Sequence, residues 1–275
     1  MNRSVIPNVP LSRRSFVAGG LVGLLGSRCS LARDQQQNRK AQIAITLDLE
    51  MSRMYPERDN LEWDYQKGNL NAPTKNYSLD AARLASERGG TIHFFCVGRV
   101  LEQADIRWLQ EIAELGHPIG NHTYDHVNVW ARKAEETQYR FTRSPWLIRG
   151  KTAHQVIQEN IRMTTLAMRD RAGIEPNGFR TPGGSNAALT GREDLQQLLL
   201  DEGFTWVSSK YPAHKTNTPG EMPTPDVFAS ILAAHEQAQP FVYPTGLIEI
   251  PMSPISDVGA FRTGRWELND FLKSV

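Results

Sequence analysis

Two histidines four residues apart, His122 and His126 in the run GNHTYDH (residues 120–126), are the first residues in this sequence whose types suggest chemistry. If the run forms a helical turn, a four-residue step projects both imidazoles from one face. Two imidazoles are an incomplete metal site, so a third donor, oxygen or sulfur, must come from elsewhere in the chain. The run TLDLE, Thr46 to Glu50, offers it. Residues two apart on a strand face the same side, so Asp48 and Glu50 converge while Leu47 and Leu49 face the opposite layer. Paired carboxylates repel unless a cation or a shared proton offsets the charge. One carboxylate with the two imidazoles would make a three-ligand divalent centre with positions open to water, the pattern of hydrolytic metal sites. The other carboxylate is then free to act as a general base. Arg180, in GFRTPGG (residues 178–184), carries a fixed charge and a planar fork suited to holding that base in place.

These residues need rigid elements behind them. From Gln42 the sequence alternates strand and helix. Strands are expected from Gln42 to Leu47, Thr91 to Val97, Pro118 to Asn121, Gly178 to Arg180, Phe204 to Ser208 and Gly246 to Pro251. Helices are expected from Ser78 to Arg88, Leu101 to Leu115, Ala153 to Arg171, Gly191 to Glu202, around Val227 to Gln239, and from Leu268 onward. Residues 51–76 lack a period and read as a long loop, and residues 127–150 as a loop over the mouth of the fold. With no paired hairpin signal, this alternation predicts parallel strands joined by helical crossovers. The expected fold class is α/β, a (β/α) barrel that is incomplete at its C-terminus, with its chemistry at the C-terminal strand ends.

The chain of 275 residues is 40 % hydrophobic and 22 % charged, as in a soluble globular protein. Residues 1–32 read as a cleaved export signal: Arg13-Arg14 precede a Gly-rich apolar run, Phe16 to Leu25, that is too short to span a membrane. Paired arginines at that place resemble a twin-arginine signal, making the export machinery a partner of the precursor. Residues 33–41 form a polar leader, and the folded domain is expected over 42–275. Removing residues 1–32 takes four arginines and no acid, moving the net charge from +1 to about −3. That balance gives no reason to expect nucleic acid or an anionic membrane as partner. It also removes Cys29 and leaves Cys96 without an internal disulfide partner. The expected location is the periplasm or cell envelope.

Together the motifs resemble the polysaccharide deacetylase family, the carbohydrate esterases of family 4 with the NodB-homology domain. The resemblance runs from about Gln42 to Pro251. GHPIGNHTYDH (residues 116–126) matches the family's H-[ST]-x-x-H motif, TIHFFCVG (91–98) the strand before it, TLDLE the T-F-D-D motif in a D-x-E form, and FRTPGG the R-x-P-x-G motif. This implies a distorted (β/α)7 barrel, a divalent metal, most often zinc, and an N-acetylated glycan such as chitin or peptidoglycan as substrate. It implies Glu50, His122 and His126 as ligands, Asp48 as base and Arg180 as its orienting partner.

The sequence departs from the family in three places. The second carboxylate is a Glu one residue later than usual, the aromatic of R-x-P-x-G is replaced by Gly183, and no late L-x-H motif supplies the acidic histidine. His214 and His235 are the late histidines available for that role. His93, His117 and His154 read as structural, Trp206 as either core or sugar platform, and Trp130 and Trp146 as further sugar candidates. Two rival functions follow: hydrolysis of small or cyclic amides on the same site, and a silent glycan-binding relative. A metal-free glycosidase does not fit, because Asp48 and Glu50 on one strand cannot flank a sugar.

Overall fold

Parallel strands, each fed by a helix, stack the candidate residues at one end of a single sheet. The computed structural model describes residues 43–51 and 66–275. The expected export signal, the expected polar leader and most of the expected long loop lie outside the described residues. Seven strands are hydrogen-bonded in the order β1-β2-β3-β4-β5-β7-β6. They are β1 (Ile45–Leu49), β2 (Ile92–Cys96), β3 (Ile119–Asn121), β4 (Phe179–Ser185), β5 (Trp206–Lys210), β6 (Phe241–Val242) and β7 (Ile248–Glu249). All neighbours run parallel except β6 and β7, which pair antiparallel. The sheet is not closed: among the described residues β1 pairs only with β2, and β6 only with β7.

The helices follow local signals. Helix α1 (Ala72–Glu87) begins six residues before the expected Ser78, because Asn71 caps it by accepting from the Thr74 amide at 3.1 Å and Pro73 fits its first turn. Ser78 instead lies buried inside the helix and donates to the Thr74 carbonyl. The expected helix from Leu101 is two pieces, a 3-10 turn (Gly98–Glu102) and α2 (Arg107–Glu114). Residues 127–150 hold short helical pieces, including α3 (Tyr139–Arg143). Helix α4 (Ala153–Ala167) starts in a capping box of Thr152 and Gln155. Helices α5 (Glu193–Asp201), α6 (Pro225–Ala234) and α7 (Leu268–Leu272) complete the chain.

Side-chain alternation along the strands divides the sheet into a helix-facing layer and an interior layer. Leu49, Phe94, Cys96 and Ile119 pack on Ala82 of α1, Leu109 and Ile112 of α2, and Met168 beyond α4. Phe179 and Val207 pack on Ile157 and Ile161 of α4 and on Leu195, Leu198 and Leu199 of α5. On the other face, Arg180 of β4 touches Thr46 and Asp48 of β1, Phe95 of β2 and Ser208 of β5. A flat sheet would hold β1 and β4 about 14 Å apart, three strand spacings. The sheet is therefore curled, with its interior face concave. The antiparallel β6–β7 hairpin corrects the expectation of parallel strands throughout. Its turn is closed by Tyr243 N–H to Leu247 O and Gly246 N–H to Tyr243 O, each 2.9 Å, with Gly246 at φ +93°.

Candidate active site

Parallel register brings Asp48 opposite Phe95, Phe95 opposite Gly120, and Arg180 opposite Ser208. Glu50 and His122, just past the C-terminal ends of β1 and β3, therefore meet Arg180, the second residue of β4, whose start is paired with the end of β3. The histidine pair is not on a helix. His122 to His126 form a loop after β3, with Thr123 at φ +59° and His126 at φ +56°. Such left-handed values are uncommon for residues with a Cβ and need outside support. Asn121 Oδ1 accepts from the Thr123 amide at 2.8 Å, and Thr123 Oγ1 accepts from the Val127 amide at 3.0 Å. Asn160 of α4 accepts from the Asp125 amide through Oδ1 and from the Tyr124 amide through its carbonyl. A Cβ on Gly98 would stand 2.4 Å from the Tyr124 ring and 2.9 Å from its Cα, so the loop sits flat against that glycine.

The loop delivers both imidazoles to Glu50. Glu50 Oε2 lies 2.5 Å from His126 Nε2 and 3.5 Å from His122 Nε2. One ligand atom from each of the three residues falls within 4.8 Å of the others. His122 Nδ1 is 2.9 Å from the Arg180 carbonyl, to which it donates, leaving the Nε2 lone pair facing the carboxylates. Burial would push the Glu50 carboxyl up, but His126, His122 and Lys67 hold it well below the usual carboxylate range. Burial pushes His126 down to about 4, against the opposing pull of Glu50. One carboxylate oxygen and two imidazole nitrogens gathered this closely are a donor set that fits a divalent ion.

Asp48 faces the same space but has a different partner. Arg180 Nη1 donates to Asp48 Oδ1 at 2.8 Å, and Nη2 donates to Thr46 Oγ1 at 2.9 Å and Ser208 Oγ at 3.2 Å. The guanidinium also stacks 4.2 Å from the Phe95 ring centroid. Asp48 Oδ2 remains 4.0 Å from His122 Nε2. All five expected site residues, Asp48, Glu50, His122, His126 and Arg180, are brought together.

Two neighbours escape a reading of the sequence. Lys67 is 1 % exposed, with Nζ 3.0 Å from Glu50 Oε2 and 3.5 Å from His126 Nε2. It stands in an aperiodic run with nothing to single it out. Tyr211 follows β5 to the same mouth, where its ring fills the space beside Gly184: a Cβ there would lie 2.1 Å from Tyr211 Cδ2. Burial and then the Asp48 charge push its hydroxyl up to about 12, so it carries its proton at neutral pH.

Several other residues fall elsewhere. Trp206 opens β5 at the end away from the mouth, half-buried, packing 5.1 Å from His93 and 5.8 Å from Phe95 and donating to Asn177 Oδ1. His117 is buried, accepting from the Ile92 amide and bonding the Ala82 carbonyl. His154 is exposed on α4. His214 bonds the Lys215 carbonyl, and His235 begins a 3-10 turn after α6. Trp130 donates to the Ala188 carbonyl, and Trp146 is exposed.

Residues 71–202 match the family model for polysaccharide deacetylase. A comparison with curated proteins finds no match. Among solved structures, the chain is similar to a CE4 family pseudoenzyme from Bacillus anthracis at 14 % identity, covering 78 % of this chain and 56 % of that one, with a TM-score of 0.39. It is similar to PuuE allantoinase at 13 % identity, covering 84 % and 68 %, with a TM-score of 0.45. It is also similar to a family 4 carbohydrate esterase from Streptomyces lividans in complex with acetate, at 18 % identity, 64 % of each chain and a TM-score of 0.35. The chain spans less than three fifths of the length of the Bacillus anthracis structures it matches. By the match over residues 71–202 and the motifs that surround it, the chain is similar to the polysaccharide deacetylase family.

Proposed function

We propose that the protein is a metal-dependent hydrolase that removes N-acetyl groups from a glycan of the chitin or peptidoglycan kind. The observation that carries this reading is the convergence of Glu50, His122 and His126 beside an Asp48 that Arg180 holds apart from them. Glu50, His122 and His126 would hold a divalent ion, with zinc the first choice for a set of two imidazoles and one carboxylate. Bound there, the ion supplies a Lewis acid for the amide carbonyl and an acidified water. Asp48 takes a proton from the attacking water, and Arg180 fixes which oxygen it presents. The C–N bond then breaks and the leaving amine needs a proton. A protonated group close to Asp48 would provide it. In this reading Tyr211, protonated at neutral pH beside Asp48, does so, and the proton held by Asp48 restores it. The products are acetate and a free amino sugar.

Acetate release from chitin oligomers and from peptidoglycan tests the substrate class directly. Acetate from either supports the glycan reading. Turnover of cyclic amides without acetate from any glycan would instead favour the small-amide alternative. Glycan binding with no turnover of either substrate would favour the silent relative. Tyr211→Phe should cut kcat by about 10²-fold with little change in KM. The location and domain reading is that residues 1–32 direct twin-arginine export of a domain spanning 42–275 to the periplasm or cell envelope. Fusing residues 1–32 to a folded reporter checks it, and replacing both Arg13 and Arg14 by lysine should abolish export.

A further inference from the structure

A fully buried ammonium beside a set of metal ligands needs an account. Lys67 Nζ lies within 3.5 Å of two of the three donor atoms, Glu50 Oε2 and His126 Nε2. A divalent ion draws on those same lone pairs. The lysine does not hang on a free flap. The Gly68 amide donates to the Glu50 carbonyl at 2.6 Å, tying the backbone next to Lys67 to the end of β1. Gln103 Nε2 donates to the Gly68 and Leu70 carbonyls at 3.0 and 3.3 Å. Gly68 has φ +82°, and a Cβ there would meet Arg99 Cβ at 2.4 Å, so this short turn has one way to pack. The chain is thus built to aim a positive charge at Glu50 from a position closed to solvent.

Two roles are open to such a group. An ammonium that met substrate would have to reach the mouth, and at 1 % exposure Lys67 does not. A cation that balances the buried carboxylate needs to reach Glu50 and nothing else. It does so, at the distance of a charge-assisted hydrogen bond.

We propose that Lys67 is the centre's own counter-cation and competes with a divalent ion for Glu50 and His126. A metal ion that enters must displace the ammonium from Glu50 and stand close to its charge. Lys67 thereby lowers the affinity of the centre, so that it loads only where free metal is sufficient. This inference rests on reading Glu50, His122 and His126 as a metal site, and the two can fail separately.

The test is titration of the chelator-treated full chain with zinc, read by calorimetry, and with cobalt, read by its visible ligand-field bands. Neither readout depends on turnover. Lys67→Met, which keeps the stem and removes the charge, should bind both ions more tightly by about tenfold or more. Lys67→Arg, which keeps the charge, should show no gain. Lys67→Gln is a second neutral variant, and thermal melts verify that each protein is folded. Unchanged or weaker binding by folded Lys67→Met and Lys67→Gln, with one ion still bound, overturns the competition and leaves the site standing. If neither wild type nor any Lys67 variant binds metal, the metal reading falls and the competition with it. His126→Ala is the control that should abolish binding in every background.

Discussion

Asp48 and Glu50 stand two residues apart on one strand, yet their partners separate them. Glu50 meets two imidazoles and an ammonium, while Asp48 meets a guanidinium. A ligand must keep its lone pairs turned to the ion, and a base must keep one oxygen free for a proton. The Arg180 fork holds Asp48 Oδ1 and leaves Oδ2 facing the site. Asp48→Asn should therefore lower kcat by about 10³-fold or more while the protein still binds one equivalent of metal. Glu50→Gln should lose the metal itself, measured by elemental analysis after dialysis. Metal lost from Asp48→Asn and kept by Glu50→Gln would show that the two acids have exchanged roles. At this scale the convergence was legible: type and spacing singled out Asp48, Glu50, His122, His126 and Arg180, and the fold brings them together. Lys67 was not. A lysine in a loop is a solvated residue by default, and only the fold turns this one inward.

At the scale of elements, the histidine loop is the piece whose form the sequence concealed. A four-residue step suits a helical turn, but the step is achieved by two left-handed residues held by Asn121, Thr123 and Asn160. Periodicity cannot distinguish these, since both bring residues four apart together. Gly98 supports this loop from the end of β2. Gly98→Ala should push Tyr124 and with it the His122–His126 pair, weakening zinc binding by about tenfold in a protein that still folds. A second element, the β6–β7 hairpin, was missed because β6, two residues between Pro240 and Pro244, carries no readable alternation, although a strand over Gly246–Pro251 was expected and β7 lies within it. It is held by Glu249, which is fully buried and accepts from the Ser209 and Lys210 amides, the Ser209 hydroxyl and the Tyr243 hydroxyl. Glu249→Gln puts an N–H₂ among these donors and should cost about 2–3 kcal/mol, read as a lower urea midpoint.

Across the whole molecule, a curled but open sheet surrounds an interior that carries histidines as well as apolar groups. Parallel strands were predictable from the repeated strand–helix alternation, and the open edge from the count of strands. The curvature was not, because it depends on contacts such as Arg180 with Thr46 and Asp48 that join strands far apart in sequence. Burial pushes His93, packed against Phe95, down from 6.5 to about 4, as it does His126. In the unfolded chain both would titrate near 6.5. Above that pH neither state is protonated and the full stability is present. As pH falls from 6.5 toward 4, the unfolded chain binds protons that the folded one refuses, and stability is lost, by up to about 3 kcal/mol for each histidine. Urea midpoints of the chelator-treated protein should drop across this range, and His93→Phe should remove part of the drop.

The central claim is that a divalent ion held by Glu50, His122 and His126 drives hydrolysis of an N-acetyl group. Acetate released from an N-acetylated glycan by the purified chain should disappear after chelator treatment and return on adding one equivalent of zinc. Acetate release that continues at the same rate in the chelator-treated protein, with its metal content shown to be nil, would contradict it.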